Sequence, residues 1–371
     1  MSLQNFSPCI GCDDVLLSPR YSSKKSRSDC DPSAIANRFL DKAYLPIIAS
    51  PMDTVYSPEM EDLLTRKRIP FVVHRYFKSF EDQLEFAGKG VYGLNFRNKF
   101  KFFAVGSLKN KKWINGLIEA GVQCFCIDMA HGDTRACVET VKYIKKNTVN
   151  SIIMAGNVAT RSGFSRLEDA GADMIRVGIG SGSACATREM TGFGVPIITS
   201  VAECFTVRDK ALIIADGGIK SPGDIAKVIA YGADLCMLGK MFASTSLAPG
   251  GCYNSRGDFC CEYKDIAHPQ HEDAHYVPPH CELDVAYKEY RGMASAAARQ
   301  GVLSKASIEG ASGLVPYSGT TEDFIDNLRL NLQASLSYGG SKDWNQFRKR
   351  VKKRIITAAA WRESMVNIKE F

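Results

Sequence analysis

The sequence predicts an α/β fold in which a single domain, residues 1–371, forms a closed (β/α)8 barrel. Short apolar runs rich in β-branched residues recur along the chain, and most intervals between them leave room for a helix. Apolar runs that do not alternate with polar residues are typical of strands buried on both faces, as in parallel sheets. The eight runs are residues 45–49, 71–74, 102–105, 124–128, 151–155, 174–177, 212–215 and 235–238.

The residues at the ends of these runs predict where the site of the barrel lies. In a TIM barrel the chemistry takes place at the C-terminal ends of the strands. Almost every run here ends at, or just before, a polar residue or a glycine. These residues are Ser50, His74, Asp128, Asn157, Gly178, Asp216 and Gly239.

A glycine-rich loop, residues 178–194 (GIGSGSACATREMTGFG), follows the sixth run and contains one cysteine, Cys185. Glycine adopts backbone angles closed to other residues, so the loop can turn its carbonyls toward a cation while it presents the thiol to a substrate. Thr187 is close enough in sequence to act on whatever the sulfur attacks. The alternative is a tight turn with a buried, inert cysteine.

The last two predicted strands precede loops suited to an anion. After the seventh run, Ser221 is a good N-cap, Pro222 suits the first helical position, and Gly217 and Gly218 let the backbone approach a ligand. After the eighth run, Gly239 is followed by the cation Lys240. Because late barrel loops commonly bind phosphate, these features predict a nucleotide-sized anionic ligand.

Composition indicates an ordinary globular enzyme, with 45% hydrophobic and 23% charged residues. The chain has no apolar run long enough for a membrane helix, and its first residues lack the pattern of a signal peptide. We therefore expect no membrane partner and a cytoplasmic protein whose 13 cysteines are thiols.

Part of the net charge of +7 lies in a basic run near the C-terminus, residues 347–355 (FRKRVKKRI). Such a run can bind nucleic acid. Since no aromatic residue is interleaved to stack on bases, we instead predict a solvated helix face and no nucleic-acid partner. A net positive charge also suits an enzyme whose ligands carry phosphates.

Residues 249–288 break the pattern of strands and helices. The segment is long, polar and without a clear period, so we predict a mobile lid. It contains four of the six histidines, and a zinc site is one interpretation. The absence of a Cys-x-x-Cys pair argues against it. The candidate ligands are His268, His271, His275, His280, Cys252, Cys260, Cys261 and Cys281.

With these residues in hand, the chain resembles the IMP dehydrogenase/GMP reductase family along nearly its full length. Several ordered matches are more specific than any single glycine loop. Besides the Cys185 loop, the matching segments are 13–17 (DDVLL), 49–55 (ASPMDTV), 127–132 (IDMAHG), 155–158 (AGNV), 215–218 (ADGG), 290–293 (YRGM) and 309–310 (EG).

The resemblance implies a purine nucleoside monophosphate as substrate and assigns roles to residues. The sulfur of Cys185 would add to C2 of the purine, and Thr187 with Glu309 would move a proton. Asp216 would accept hydrogen bonds from the ribose. The phosphate would lie near Ser183, Gly218, Gly239 and Tyr290, and the base near Ser50, Met52, Gly292 and Met293.

The resemblance also implies a nicotinamide cofactor and a monovalent cation. The cofactor would lie near Asp128, Ala130, His131, Asn157 and Arg176. The cation, K+, would be held by the carbonyls of Gly180, Gly182 and Cys185. A homotetramer is expected on the same ground.

Two features of the sequence distinguish the branches of the family. Only about two dozen residues, 78–101, join the second and third units, so the regulatory CBS domains usual in the dehydrogenase are absent. The dehydrogenase also activates water with an Arg-Tyr pair, which residues 294–308 lack. Arg75 and Tyr76 are adjacent but lie elsewhere in the sequence.

We therefore predict the reductase reaction, in which GMP is deaminated and reduced with NADPH. Residues 26–29 (SRSD) are also similar to the reductase, whereas 130–132, 290–293 and Ala186 depart from it. Two alternatives remain open: an IMP dehydrogenase without CBS domains that oxidises IMP with NAD, and a non-catalytic barrel that binds purine nucleotides.

Overall fold

The barrel predicted from the apolar runs is present. The structure is a computed structural model that describes residues 8–34, 40, 43–90, 93–95, 98–263, 285–293, 295 and 310–363. Eight parallel strands follow one another around the barrel, and the last pairs with the first. A short strand, β1 (Val15–Ser18), precedes them; the barrel strands are β2 (Ile47–Ala49), β3 (Phe71–Val73), β4 (Lys101–Val105), β5 (Cys124–Asp128), β6 (Ile152–Val158), β7 (Met174–Val177), β8 (Leu212–Asp216) and β9 (Leu235–Leu238).

Helices fill the intervals between the strands, as expected for βα units. The interval 78–101 contains one of them, Phe80–Gly88. The α-helices are α1 (Glu61–Arg66), α2 (Phe80–Gly88), α3 (Lys111–Glu119), α4 (Arg135–Asn147), α5 (Arg161–Asp169), α6 (Thr187–Thr191), α7 (Ile197–Val207), α8 (Pro222–Tyr231), α9 (Lys240–Ala243), α10 (Thr321–Tyr338), α11 (Trp344–Arg350) and α12 (Ala358–Arg362). Short 3-10 turns occur at Cys12–Asp14, Arg27–Asp29, Pro58–Met60 and Leu108–Asn110.

The barrel strands are buried on both faces. In β2, for example, Ile48 belongs to the cluster inside the barrel, whereas Ile47 and Ala49 pack in the layer between strands and helices. Both sets of side chains are excluded from water, so neither face selects polar residues. This is why the strands appear in the sequence as uninterrupted apolar runs.

The predicted start of α8 is confirmed. Ser221 has extended backbone angles, and its side-chain oxygen accepts a hydrogen bond from the Asp224 amide at 3.2 Å. Pro222 occupies the first turn, where its missing amide proton costs nothing. The cap fixes the direction in which the loop after β8 enters the helix.

Part of the segment 249–288, predicted to be an irregular lid, forms a sheet. The strands β10 (Gly251–Tyr253), β11 (Phe259–Glu262), β12 (Tyr287–Arg291) and β13 (Ser312–Pro316) pair antiparallel in the order β11-β10-β12-β13. Residues 251–253, 259–262 and 287–288 of the segment are therefore strands of this sheet, and the lid stays a prediction. Residues 264–284 lie outside the described residues.

The zinc interpretation concerns residues on both sides of that limit. His268, His271, His275, His280 and Cys281 lie outside the described residues. Within the part of the chain that the structure describes, no three His, Cys, Asp or Glu side chains are grouped to hold a metal ion.

The basic run 347–355 is only partly helical. Its first residues end α11, but Lys352–Ile355 form a strand, β14, that pairs antiparallel with β1. The prediction of one helix face was wrong because the backbone of residues 352–355 forms hydrogen bonds with β1 instead of continuing the helix. The two strands are more than 300 residues apart in the sequence.

Among the described residues, no helix is long and apolar enough to cross a membrane.

Candidate active site

A cavity of about 300 Å³ opens at the C-terminal ends of the barrel strands. Its walls are formed by loops that follow several barrel strands and by residues of β12. All ten residues that the sequence assigned to the substrate line it. They are Ser50, Met52, Ser183, Asp216, Gly218, Gly239, Lys240, Tyr290, Gly292 and Met293.

The Cys185 loop forms one wall of this cavity. Cys185 is exposed, and its thiol lies 3.2 Å from the hydroxyl of Thr187, the first residue of α6. The Cys185 amide donates to the Gly182 carbonyl at 3.0 Å, which turns the loop back on itself. The cysteine is therefore not the buried, inert residue of the alternative interpretation.

The loop packs so closely against the end of β8 that only glycine fits at position 178. Gly178 has a φ of 146°, and a Cβ at this position would overlap the carbonyl oxygen of Asp216. The Ser181 hydroxyl donates to the same carbonyl at 3.2 Å. This close approach places the thiol loop and the loop after β8 on one cavity.

A second chain segment reaches the thiol from beyond β12. Cys185 forms an isolated antiparallel bridge with Gly310, and the Ala311 amide donates to the Ala184 carbonyl at 3.0 Å. The Gly292 amide in turn donates to the Ala311 carbonyl at 2.9 Å. Glu309 itself lies outside the described residues.

A buried charge network forms the floor of the site, with Arg176 at its centre. The Arg176 guanidinium donates to Asp128 Oδ1 at 2.7 Å and to Asp216 Oδ2 at 2.8 Å. Arg75 Nε lies 3.4 Å from Asp128 Oδ2. Although burial raises the pKa of the Asp128 carboxyl, Arg176 and Arg75 outweigh it and hold that pKa below its usual value.

Asp216 is held so that one of its oxygens can face a ligand. Asn157 Nδ2 donates to Asp216 Oδ2 at 2.8 Å, the same oxygen that Arg176 contacts. Among the described residues, every side-chain hydrogen bond to this carboxylate is made to Oδ2. The other oxygen is thus the one positioned to accept hydrogen bonds at the cavity wall.

Tyr290 brings a buried hydroxyl to the cavity wall. Its oxygen lies 3.9 Å from Met52 Sδ, and a Cβ at Gly239 would lie 2.8 Å from it. Burial raises the pKa of Tyr290 well above its usual value, and the negative charges of Asp216 and Cys185 raise it further. The hydroxyl is therefore a hydrogen-bond donor at physiological pH.

The strand that carries Tyr290 is tied to the loop after β2. Arg291 donates to Asp53 at 2.7 and 3.0 Å and to Glu289 Oε1 at 2.9 Å. The Asp53 amide also lies 3.5 Å from Met293 Sδ. A two-pronged Arg–carboxylate pair fixes orientation as well as distance, so Met52 and Tyr290 keep their positions.

Four of the five residues assigned to a cofactor line the same cavity, namely Asp128, Ala130, Asn157 and Arg176. His131 is exposed and is not among the lining residues.

Sequence reasoning missed several lining residues, among them Arg75, Tyr76 and Met129. Arg75 and Met129 directly follow the run-end residues His74 and Asp128. Extending each predicted strand end by two residues would have included them.

The glycine loop contains the carbonyls that are predicted to bind a monovalent cation. Gly180 has a φ of 74°, and Gly182 offers a carbonyl with a lone pair beyond the one used by the Cys185 amide. Neutral carbonyl oxygens are ligands that K+ accepts, so this loop could hold such an ion.

We expect Arg176→Met to lower the free energy of unfolding by about 3 kcal/mol, the lower end of the range for buried pairs, because two partly buried carboxylates lose their shared cation. Urea unfolding followed by tryptophan fluorescence would measure it. Arg176→Lys keeps the charge but loses the planar fork, so it should lose less. An unchanged unfolding free energy in Arg176→Met would mean that Arg75 and Asn157 alone suffice to hold Asp128 and Asp216.

Comparison with known proteins identifies the family of this chain. The family model described as "IMP dehydrogenase / GMP reductase domain" matches residues 9–274 and 280–367. A protein of Staphylococcus carnosus named "GMP reductase" is 31% identical over 344 residues, which cover 91% of this chain and 93% of the relative. A Bacillus subtilis protein of the same name is 31% identical over 342 residues, with the same coverage.

The other branch is represented too. A protein of Aquifex aeolicus named "Inosine-5'-monophosphate dehydrogenase" is 36% identical over 266 residues, which cover 68% of this chain but 49% of the relative. The match of the family model extends over almost all of the sequence. The chain belongs to the IMP dehydrogenase/GMP reductase family of oxidoreductases.

Proposed function

We propose that this protein is a GMP reductase, which converts GMP to IMP and ammonia with NADPH. The observation that carries the proposal is the exposed Cys185 thiol, 3.2 Å from the Thr187 hydroxyl, on the wall of the cavity. Relatives named GMP reductase that match 91% of the chain favour this branch.

Cys185 is the nucleophile in this proposal. Its thiolate adds to C2 of guanine, which converts C2 from a planar to a tetrahedral centre and makes the amino group a leaving group. Thr187, within hydrogen-bond distance of the sulfur, passes a proton to the departing amine, and Glu309 supplies that proton. Ammonia leaves, and Cys185 remains bonded to C2.

In the second half-reaction C2 gains a hydride and the bond to Cys185 breaks, which releases IMP and restores the thiol. A bound NADPH would supply this hydride. Asp128, Ala130, Asn157 and Arg176 form the proposed cofactor side of the cavity. His131, which is exposed outside it, is assigned to the cofactor by the resemblance alone. The Asp128 carboxylate, kept ionised by Arg176 and Arg75, can accept hydrogen bonds from an amide group there.

The rest of the cavity suits a purine nucleoside monophosphate. In the proposal, the oxygen of Asp216 not held by Arg176 accepts the ribose hydroxyls, and the Tyr290 hydroxyl donates to the phosphate. Ser183, Gly218, Gly239 and Lys240 complete the phosphate site, where small residues and a cation are expected. The base lies against Ser50, Met52, Gly292 and Met293.

The proposal extends to the cation and the assembly. Carbonyls of Gly180, Gly182 and Cys185 would hold K+, whose charge would order the loop that presents the thiol. A homotetramer in the cytoplasm is expected from the resemblance to the family.

IMP dehydrogenase is the second candidate, because the Aquifex aeolicus relative has the higher identity, 36%. That reaction ends by hydrolysing the bond between the cysteine and C2. Residues 294–308 lack the Arg-Tyr pair that the dehydrogenase uses to activate water. A non-catalytic nucleotide-binding barrel has no need for an exposed thiol beside a hydroxyl.

The direction of the reaction is the first test. We expect the protein to consume NADPH in the presence of GMP and to produce no sustained XMP from IMP and NAD, because water activation is missing. Cofactor absorbance and chromatography of the nucleotides would measure both. Multiple-turnover XMP synthesis at a rate comparable to GMP reduction would contradict the reductase assignment.

A further inference from the structure

Three buried side chains form a row across the antiparallel sheet, away from the active-site cavity. Cys261 of β11 lies opposite Cys252 of β10, which lies opposite Lys288 of β12. All three residues are at most 6% exposed. We propose that Cys252 and Cys261 are an oxidisable thiol pair that forms a disulfide with hydrogen peroxide, and that Lys288 activates Cys252.

The register of the sheet supports the pair. Residues directly opposite each other in an antiparallel pair have Cα atoms about 4.5–5.5 Å apart and side chains on the same face. A disulfide requires Cα atoms about 4.4–6.8 Å apart. Both residues are thiols that pack together with Cys260 and Val285. The bridge therefore needs little movement of the backbone.

Lys288 supplies a buried positive charge to this pair. Its Nζ donates to the Ala248 carbonyl at 2.7 Å and lies 5.6 Å from the centre of the Tyr263 ring. Burial lowers the pKa of Lys288, and its interaction with Cys252, followed by weaker interactions with Cys261 and Glu262, offsets part of that effect. A lysine beside a thiol favours the thiolate, which is the reactive form.

The geometry assigns different roles to the two cysteines. Cys252, nearest to Lys288, attacks one oxygen of hydrogen peroxide as a thiolate, forming a sulfenic acid while hydroxide leaves. Cys261 then attacks the Cys252 sulfur, the S–S bond forms, and the second oxygen leaves as water. Two thiols are oxidised to one disulfide, and one peroxide is reduced to two waters.

The position of β11 gives the oxidant access. It is an edge strand of four residues, and Cys260 is the extra residue of a bulge where the register shifts. Short edge strands open locally more readily than central strands. A small oxidant can therefore reach sulfurs that are buried in the closed sheet.

Oxidation of the full-length protein by hydrogen peroxide would test the proposal without an activity assay. The Cys185→Ser background removes the exposed thiol of the active site, and the unaltered protein is treated in parallel. After the remaining thiols are blocked by alkylation, we expect the oxidised protein to carry two fewer alkyl groups than the untreated protein. Peptide mapping should then find one disulfide, Cys252–Cys261.

Variants separate the proposed roles. Cys261→Ala should stop at a Cys252 sulfenic acid that dimedone traps, whereas Cys260→Ala should form the disulfide as the parent does. Lys288→Met should slow oxidation about tenfold or more, because the thiolate loses its counter-charge.

Three outcomes would overturn the proposal. They are a disulfide that joins either sulfur to a different cysteine, oxidation of Cys204 as fast as Cys252, and an unchanged oxidation rate in a folded Lys288→Met protein. Cys204 is the matched control, since it is also buried and burial raises its pKa to about 12. Mapping of the parent protein decides the pairing even where Lys288→Met fails to fold.

Discussion

Cys185→Ser is expected to bind GMP with nearly unchanged affinity and to lose at least about 10⁴-fold in kcat, the scale seen when a covalent nucleophile is removed. Serine is close in size to cysteine, so the loop and its contact with Thr187 should persist. A hydroxyl, however, ionises far less readily than a thiol, and the thiolate is the attacking species.

Two measurements on the same variant check this result. NADPH oxidation with GMP gives kcat, and calorimetric titration with GMP gives the dissociation constant. Cys9→Ser is the matched control, because Cys9 is also exposed but does not line the cavity. Full activity of Cys185→Ser would mean that the sulfur forms no bond to the purine and serves only to fill the loop.

Most of the barrel could be predicted from the sequence because its strands are buried on both faces. Each of the eight runs contains or overlaps a strand, and the runs 124–128, 174–177 and 235–238 match their strands residue for residue. The helix start at Ser221 was equally clear, because capping depends only on neighbouring residues. Local signals therefore predicted the barrel strands and the start of α8.

The second sheet and the β1–β14 pair could not be found in this way. The residues of β11 include two consecutive cysteines at a bulge, which interrupts the alternation of a half-buried strand. The residues of β14 are three cations and one isoleucine, all exposed. Their strand conformation depends on pairing with β1, a contact that no local pattern in the sequence indicates.

The candidate site was partly predictable for a similar reason. Strand ends converge at one face of a barrel, so Ser50, Asp128 and Asp216 could be expected to meet. The sequence did not indicate that Arg176, on an apolar strand, would join Asp128 to Asp216. An inward-facing cation inside a barrel is recognisable only when its two carboxylate partners are in place.

Glu309→Gln is expected to slow deamination of GMP by about 10²–10⁴-fold, the usual contribution of general acid catalysis. Glutamine keeps the size and hydrogen-bonding groups of the side chain but carries no transferable proton. Glu309 lies outside the described residues, but the next residue, Gly310, bridges to Cys185. Thr187→Val, which removes the hydroxyl 3.2 Å from the thiol, should produce a loss of similar size.

The two half-reactions distinguish proton transfer from support of the fold. With IMP and NADP+, the formation of the covalent Cys185 adduct requires no departure of an amine, so Glu309→Gln should give a normal initial burst of cofactor absorbance in stopped flow. The double variant with Thr187→Val should be about as slow in deamination as either single variant, because both residues act on one proton. Equal losses in both half-reactions, or a lower melting temperature that accounts for them, would mean that Glu309 only maintains the shape of the site.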